Sequence, residues 1–151
     1  MSRQNTGNTA SETKSVPNAP TGAVATNLGS GRAVNNGSAS VSFTTPFDGK
    51  MPITGYTVTP SPATSPATFT SATSPITVTN LASATAYTYT ITATNAIGTS
   101  AASAASAAVT ATTIPSVPSA PTATAGVNQD VVTWTAPSNG GSAITGYTLK
   151  S

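Results

Sequence analysis

Three carboxylates, Glu12, Asp48 and Asp130, with no histidine and no cysteine, are all that this 151-residue chain offers to acid–base or metal chemistry. General acid–base catalysis needs a titratable group held against its partner. Glu12 falls in a polar leader, Asp48 in an Asp-Gly turn and Asp130 at the start of a much later strand. No module therefore holds the carboxylate pair that glycoside hydrolysis uses. A Ser or Thr nucleophile needs a base, ordinarily His. What remains is a Ser–Lys dyad on Lys50, a residue that a solvated turn explains far better. Zinc and copper sites draw on His and Cys, and calcium needs several clustered oxygens, so no cofactor and no metal site is expected. Gly29-Ser30-Gly31 is not followed by a helix, so it reads as a turn and not as a phosphate cradle.

Binding chemistry is equally sparse. The five Lys and Arg residues exceed the acids by only two, and no two of them are closer than eleven positions. Nucleic-acid recognition needs clustered cations, so it is excluded. No apolar stretch is long enough for a membrane span, and residues 1–15 lack the apolar region of a signal peptide. Phe43, Tyr56, Tyr87, Tyr89 and Trp134 could suggest a sugar-stacking platform. All five lie on the inward phase of their strands, which makes them core. Phe47 and Met51 flank the Asp48-Gly49 turn, where they either cap one end of a sandwich or form a small exposed contact patch.

The elements that must position these residues are strands. In Ile76–Ser100, two runs of strict alternation put Ile76 and Val78, then Tyr87, Tyr89, Ile91 and Ala93, on one face with Thr opposite. A period of two with one apolar face is an antiparallel strand covered on one side. Residues 1–15 are polar, without periodicity, and are expected to be disordered. Strands are expected at 22–28, around Val41 and Phe43, at 53–59, near 67–70, in the two alternating runs, and at 105–113. Prolines 60, 62, 66 and 75 favour a short edge strand at 67–70. The AASAASAA stretch after Gly98-Thr99-Ser100 has helix propensity from its alanines, but no apolar stripe supports a helix. Gly29–Ser38 is a turn-rich loop whose Asn36-Gly37 tolerates positive φ.

The pattern then restarts. Val117-Pro118-Ser119-Ala120-Pro121-Thr122 matches Val16–Thr21 at an offset of 101, and Ile144-Thr145-Gly146-Tyr147-Thr148 repeats Ile53–Thr57 unchanged at an offset of 91. Self-similarity at this spacing means tandem modules. On these offsets the first copy carries ten extra residues around Gly29–Ser38. Ile114-Pro115-Ser116 reads as a short, stiff linker. The second copy lacks the counterpart of 76–113, so the natural protein is expected to continue past Ser151.

Taken together, the opening Pro-x-x-Pro, the aromatic at Phe43 or Trp134, Ile-x-Gly-Tyr, the Leu81-to-Tyr87 corner and Ala93–Gly98 resemble a fibronectin type III module. The resemblance covers residues 16–113 and, in part, 117–151. It implies an all-β fold, a seven-stranded antiparallel immunoglobulin-like sandwich over 16–114, followed by an incomplete copy over 115–151. It also implies that Leu81 plugs the sandwich, that the Tyr87 hydroxyl ties the corner, and that Phe43, Tyr56, Tyr89, Ile91, Trp134 and Tyr147 are core. The family's Arg-Gly-Asp tripeptide is absent, so no integrin role carries over. Ser/Thr/Ala-rich modules of this kind resemble those of phage virion proteins, such as tail or fibre proteins, and of bacterial surface or secreted proteins. There they act as non-catalytic spacers, decorations or adhesive units. A virion or extracellular location is expected, with subunits of the same assembly, host-surface glycans or further modules of the chain as partners. The alternatives are an accessory module of a larger secreted polysaccharide hydrolase and a carbohydrate-binding module. A contact surface, if the module has one, belongs to the loops on the rigid scaffold: Gly29, Arg32, Asn35 and Asn36, or Phe47 and Met51.

Overall fold

The computed structural model describes residues 13–29 and 31–150, and all their regular structure is strand. The expected disorder of residues 1–12 and the Ser30 position lie outside the described residues; Ser15 is held, its N–H donating to Gly49 O at 2.9 Å. Seven strands build residues 21–110: β1 (Thr21–Asn27), β2 (Gly37–Thr44), β3 (Ile53–Ser61), β4 (Phe69–Ser71), β5 (Ile76–Leu81), β6 (Ala86–Asn95) and β7 (Val109–Thr110). They form two antiparallel sheets, β1-β2-β5 and β4-β3-β6-β7. The inward alternation anticipated from the sequence fills the space between them. Val41, Val58, Val78, Leu81, Tyr89 and Ile91 are completely buried. Phe43 and Tyr56 meet across the sheets with ring centroids 4.8 Å apart, a contact that adds to their area burial.

The strands run further than the alternation alone suggested. β3 continues through Pro60, which pairs with Tyr89 past the end of β4, where one flank of β3 is free to take a proline. β2 begins at Gly37, so Gly37 and Ser38 are strand and not loop.

The closing stretch departs from expectation. Only Val109–Thr110 is a regular strand, against the anticipated 105–113. Upstream, the chain pairs with β6 in threes. The N–H groups of Ser100, Ser103 and Ser106 donate to the carbonyls of Ala93, Ile91 and Tyr89 at 2.8, 2.9 and 2.9 Å. Their Oγ atoms accept from the N–H groups of the same three residues at 3.0, 3.0 and 3.1 Å. Three residues of this segment therefore oppose two of β6, a bulge repeated at every serine.

Residues 115–150 carry one hairpin, β8 (Thr122–Gly126) with β9 (Gln129–Thr133). No strand forms over 144–149, and Trp134 and Tyr147 are not core: they pack edge to face at 5.3 Å but stay 41% and 47% exposed. In residues 21–110, β6 and β4 flank β3, which carries Tyr56. Within residues 115–150 nothing plays either part.

The geometry also changes the register of the repeat. Ser15 and Asn18 donate to Gly49 O and Phe47 O; Thr113 and Ser116 donate to Gly140 O and Ser138 O at 2.8 and 3.0 Å. Val24 pairs with Ser42, and Thr122 with Thr133. The opening segments are thus offset by 98, not 101, while the later ones keep 91. The first copy is longer by seven residues (98 less 91), not ten. Ile114-Pro115-Ser116 corresponds to Val16-Pro17-Asn18, so it is the start of the second segment and not a linker.

Candidate functional site

The two segments named as contact candidates sit at opposite ends of the sandwich. Phe47 and Met51 lie where the chain enters, beside Ser15 and Asn18. The insertion lies where it leaves, beside the corner between β5 and β6.

At the entry end, Asp48 accepts the Lys50 N–H at 2.8 Å, making an Asx turn in which Gly49 has φ +72°. A Cβ at Gly49 would stand 2.2 Å from Ser15 O, so glycine is required there. Asn95, which the sequence did not single out, ties this end together. Its Nδ2 donates to Ser15 O and Asp48 O, both at 2.8 Å, and its Oδ1 accepts from Ile97 N and Gly98 N at 2.9 and 3.1 Å. That fills an amide's whole hydrogen-bonding capacity. Phe47 is 57% exposed and Met51 half-buried; of the pair, Phe47 is the one open to contact.

At the exit end, the insertion is engaged by the rest of the molecule. Gly29 is buried, and a Cβ there would fall 1.8 Å from Thr112 O; its role is close approach to β7's continuation. Arg32 turns inward on its own loop, with Nε donating to Asn36 O at 2.6 Å and Nη2 to Asn36 Oδ1 at 3.4 Å. Asn35 (φ 58°) and Ser83 make a reciprocal pair: Asn35 N–H donates to Ser83 Oγ at 2.8 Å, and Ser83 N–H donates to Asn35 Oδ1 at 3.1 Å. Asn36 N–H closes a turn on Ala33 O at 3.0 Å. Asn27, the exit-end counterpart of Asn95, donates from Nδ2 to Thr112 Oγ1 and accepts from Gly29 N.

The corner itself is built by Leu81 and Tyr87. Leu81 is completely buried, and the Tyr87 hydroxyl accepts the Ala82 N–H at 3.0 Å. Tyr89, two residues on, has a buried hydroxyl with no hydrogen-bond partner among the described residues. Burial, and secondarily the neighbouring Tyr87, pushes its pKa up to about 12.

No group of three or more His, Cys, Asp or Glu comes together among the described residues. Asp130 lies on the hairpin, in neither end cluster. The buried hydroxyls of Ser100, Ser103 and Ser106 face backbone N–H groups of β6 and have no base beside them. Their spacing of three in SAASAAS was visible in the sequence; its meaning depended on β6 lying alongside. No helix among the described residues is long and apolar enough to cross a membrane.

Residues 19–109 match the fibronectin type III domain. Among solved structures, a multi-domain segment of titin is 26% identical with a TM-score of 0.51, over 63% of this chain and 32% of that one. The titin kinase with its flanking domains is also 26% identical with a TM-score of 0.50, over 62% and 17%. The chicken CNTN1 FN1–FN3 domains share the fold at 21% identity and a TM-score of 0.50, over 78% and 41%. The chain thus spans about a third of the titin segment. No curated protein matches it.

Proposed function

The chain belongs to the fibronectin type III family, and from that premise we propose that it is a non-catalytic structural module, a spacer or decorating unit of a virion or of an extracellular surface protein. Domains of this family are generally structural or adhesive, and they are common in extracellular and surface proteins. One observation carries the reading: Thr113 belongs to both segments at once. It is 6% exposed, its Oγ1 lies 2.7 Å from Ser83 Oγ of the first corner, and its N–H donates to Gly140 O of the second segment. No residue is left between the two to act as a flexible link, and a spacer needs that property while an enzyme tether does not. The sparse charge of the sequence and the lack of any group of three or more His, Cys, Asp or Glu among the described residues agree with it. Two measurements on the full chain test the reading together. Solution scattering is expected to give one fixed set of dimensions from low to high salt, and a glycan array is expected to give no saturable binding. Saturable binding lost on Phe47→Ala would replace the spacer by a carbohydrate-binding module.

A further inference from the structure

The insertion between β1 and β2 is not needed to join them. The chain contains its own control: β8 and β9 pair in the same register and are joined by Gly126-Val127-Asn128-Gln129, whereas Asn27 and Ala39 are bridged by residues 28–38. The extra length is spent on bonds that leave the loop. Asn35 grips Ser83 reciprocally. Arg32 O accepts the N–H of Ile114 at 2.9 Å. Ser83 passes the connection to Thr113, and Thr113 passes it to Gly140. The receiving turn is pressed close to the corner. Gly141 has φ +89°, and a Cβ on it would stand 3.0 Å from Ala111 O and 3.2 Å from Ala84 Cα. A cleft at this junction is lined by Gly31 of the insertion, by Thr113 and Ile114 at the crossing, and by Asn139, Ser142 and Ile144 of the second segment.

We propose that residues 31–36 form a brace whose partner is the next module of the same chain, and that the brace sets the angle between the two. This rests on the spacer reading. Covalent continuity at Thr113 fixes where the second segment begins, but a single chain crossing leaves it free to swing. Further attachments at that crossing, the corner's Ser83 on Thr113, the insertion's Arg32 on Ile114 and the Gly140 turn on Thr113, remove that freedom. Asn35 and Arg32 are accordingly internal fasteners and not a surface offered to other molecules.

The test measures the distance between spin labels on Ala67→Cys in the first module and Thr124→Cys in the hairpin, both exposed sites in a chain without natural cysteines. The full chain is expected to give a narrow distribution. Replacing residues 28–38 by Gly-Val-Asn-Gln, and separately combining Asn35→Ala with Ser83→Ala, are expected to broaden it by about twofold or more, because inter-module motion is the default once an interface is lost. Amide protection of β6 monitors folding of the first module; if the loop replacement loses it, the double substitution, which keeps the loop, decides. A distribution as narrow as the parent's in a folded variant overturns the brace and leaves the spacer standing. A broad distribution in the unaltered chain overturns the spacer reading itself.

Discussion

Ile53-Thr54-Gly55-Tyr56-Thr57 and Ile144-Thr145-Gly146-Tyr147-Thr148 are the same five residues in the same order, yet only the first is a strand. Tyr56 is 5% exposed and Tyr147 is 47% exposed. In the first copy β3 lies between β4 and β6, and β6 pairs with it from Ile53 to Ser61. In the second copy no strand is available on either side. β-propensity is a preference for a pleated, half-buried surface, and it has no effect where no surface is offered. The turns of the two copies behave differently: Asp48-Gly49 and Asn139-Gly140 adopt the same geometry in both, with the side-chain oxygen accepting the N–H two residues on at 2.8 and 2.9 Å. Turn chemistry is local and needs no partner; strand pairing is not local.

The largest effect that could break this comparison is in amide exchange. N–H groups of β6 are expected to be protected to the level of global unfolding, while those of 144–149 exchange at nearly the rate of an open chain. Equal protection in a demonstrated monomer would show that the second segment has a core of its own. Limited proteolysis gives the same readout: cuts should fall within 144–149, which no strand holds, and leave residues 16–113 intact.

Side-chain truncation sharpens the contrast. Leu81→Ala is expected to cost the first module about 2–5 kcal/mol, since a fully buried leucine leaves a cavity. Trp134→Ala should leave that module's denaturation midpoint where it was. A matching loss for Trp134 would mean the second segment supports the first.

A smaller effect is expected from the repeated bulge. Ser103→Ala removes the acceptor facing the buried Ile91 N–H, and about 1–3 kcal/mol is the usual penalty for an unsatisfied buried donor. Chemical denaturation of this variant beside Thr124→Ala, on the exposed hairpin, isolates the contribution of pairing to β6. No difference between the two would remove the serine's structural role.

The smallest contrast lies between neighbouring tyrosines. Tyr87→Phe loses the hydroxyl that accepts the Ala82 N–H and should destabilise by about 1–2 kcal/mol. Tyr89→Phe removes a hydroxyl that has no partner among the described residues and should be neutral or slightly stabilising. The pH dependence separates them as well. The folded-state pKa of Tyr89 is raised from 10.0 to about 12, so the fold favours its protonated form. Its contribution is whole below the unfolded value and is lost as pH climbs through 10 toward 12. Tyr89→Phe is expected to flatten that part of the stability curve. An unchanged alkaline slope would mean that Tyr89 is not what titrates.

Much of the first module was legible in the residues themselves. Alternation in 76–78 and 87–93 assigned which side chains face inward, because the period of two is a property of the extended backbone. Asp48-Gly49, Asn139-Gly140 and the prolines located turns and the free edge, because φ preferences are intrinsic to those residues; Asn36-Gly37 did not, since the positive φ falls on Asn35 and Gly37 opens β2. The serines every third position, Asn95 and Asn27 were present in the sequence but silent. Each acts on a backbone group distant along the chain, and local pattern carries no trace of such a contact.

The repeat register shows where the division falls. Matching letters aligned Val117-Pro118 with Val16-Pro17, since Pro-rich openings look alike when slid by three residues. Hydrogen bonding aligned Ile114-Pro115 with them instead, because only one alignment brings a donor to Gly140 O and another to Ser138 O. The sequence by itself determined the all-β class, the inward faces, the turns and the poverty of catalytic groups, all of which depend on residue type and near neighbours. The tertiary structure alone decided that a second ITGYT would stay unpaired, that Thr113 would serve two modules, and that the insertion would hold the corner and the next module's first residues. Those outcomes depend on which backbone donors and acceptors lie opposite one another once two sheets have closed on a core.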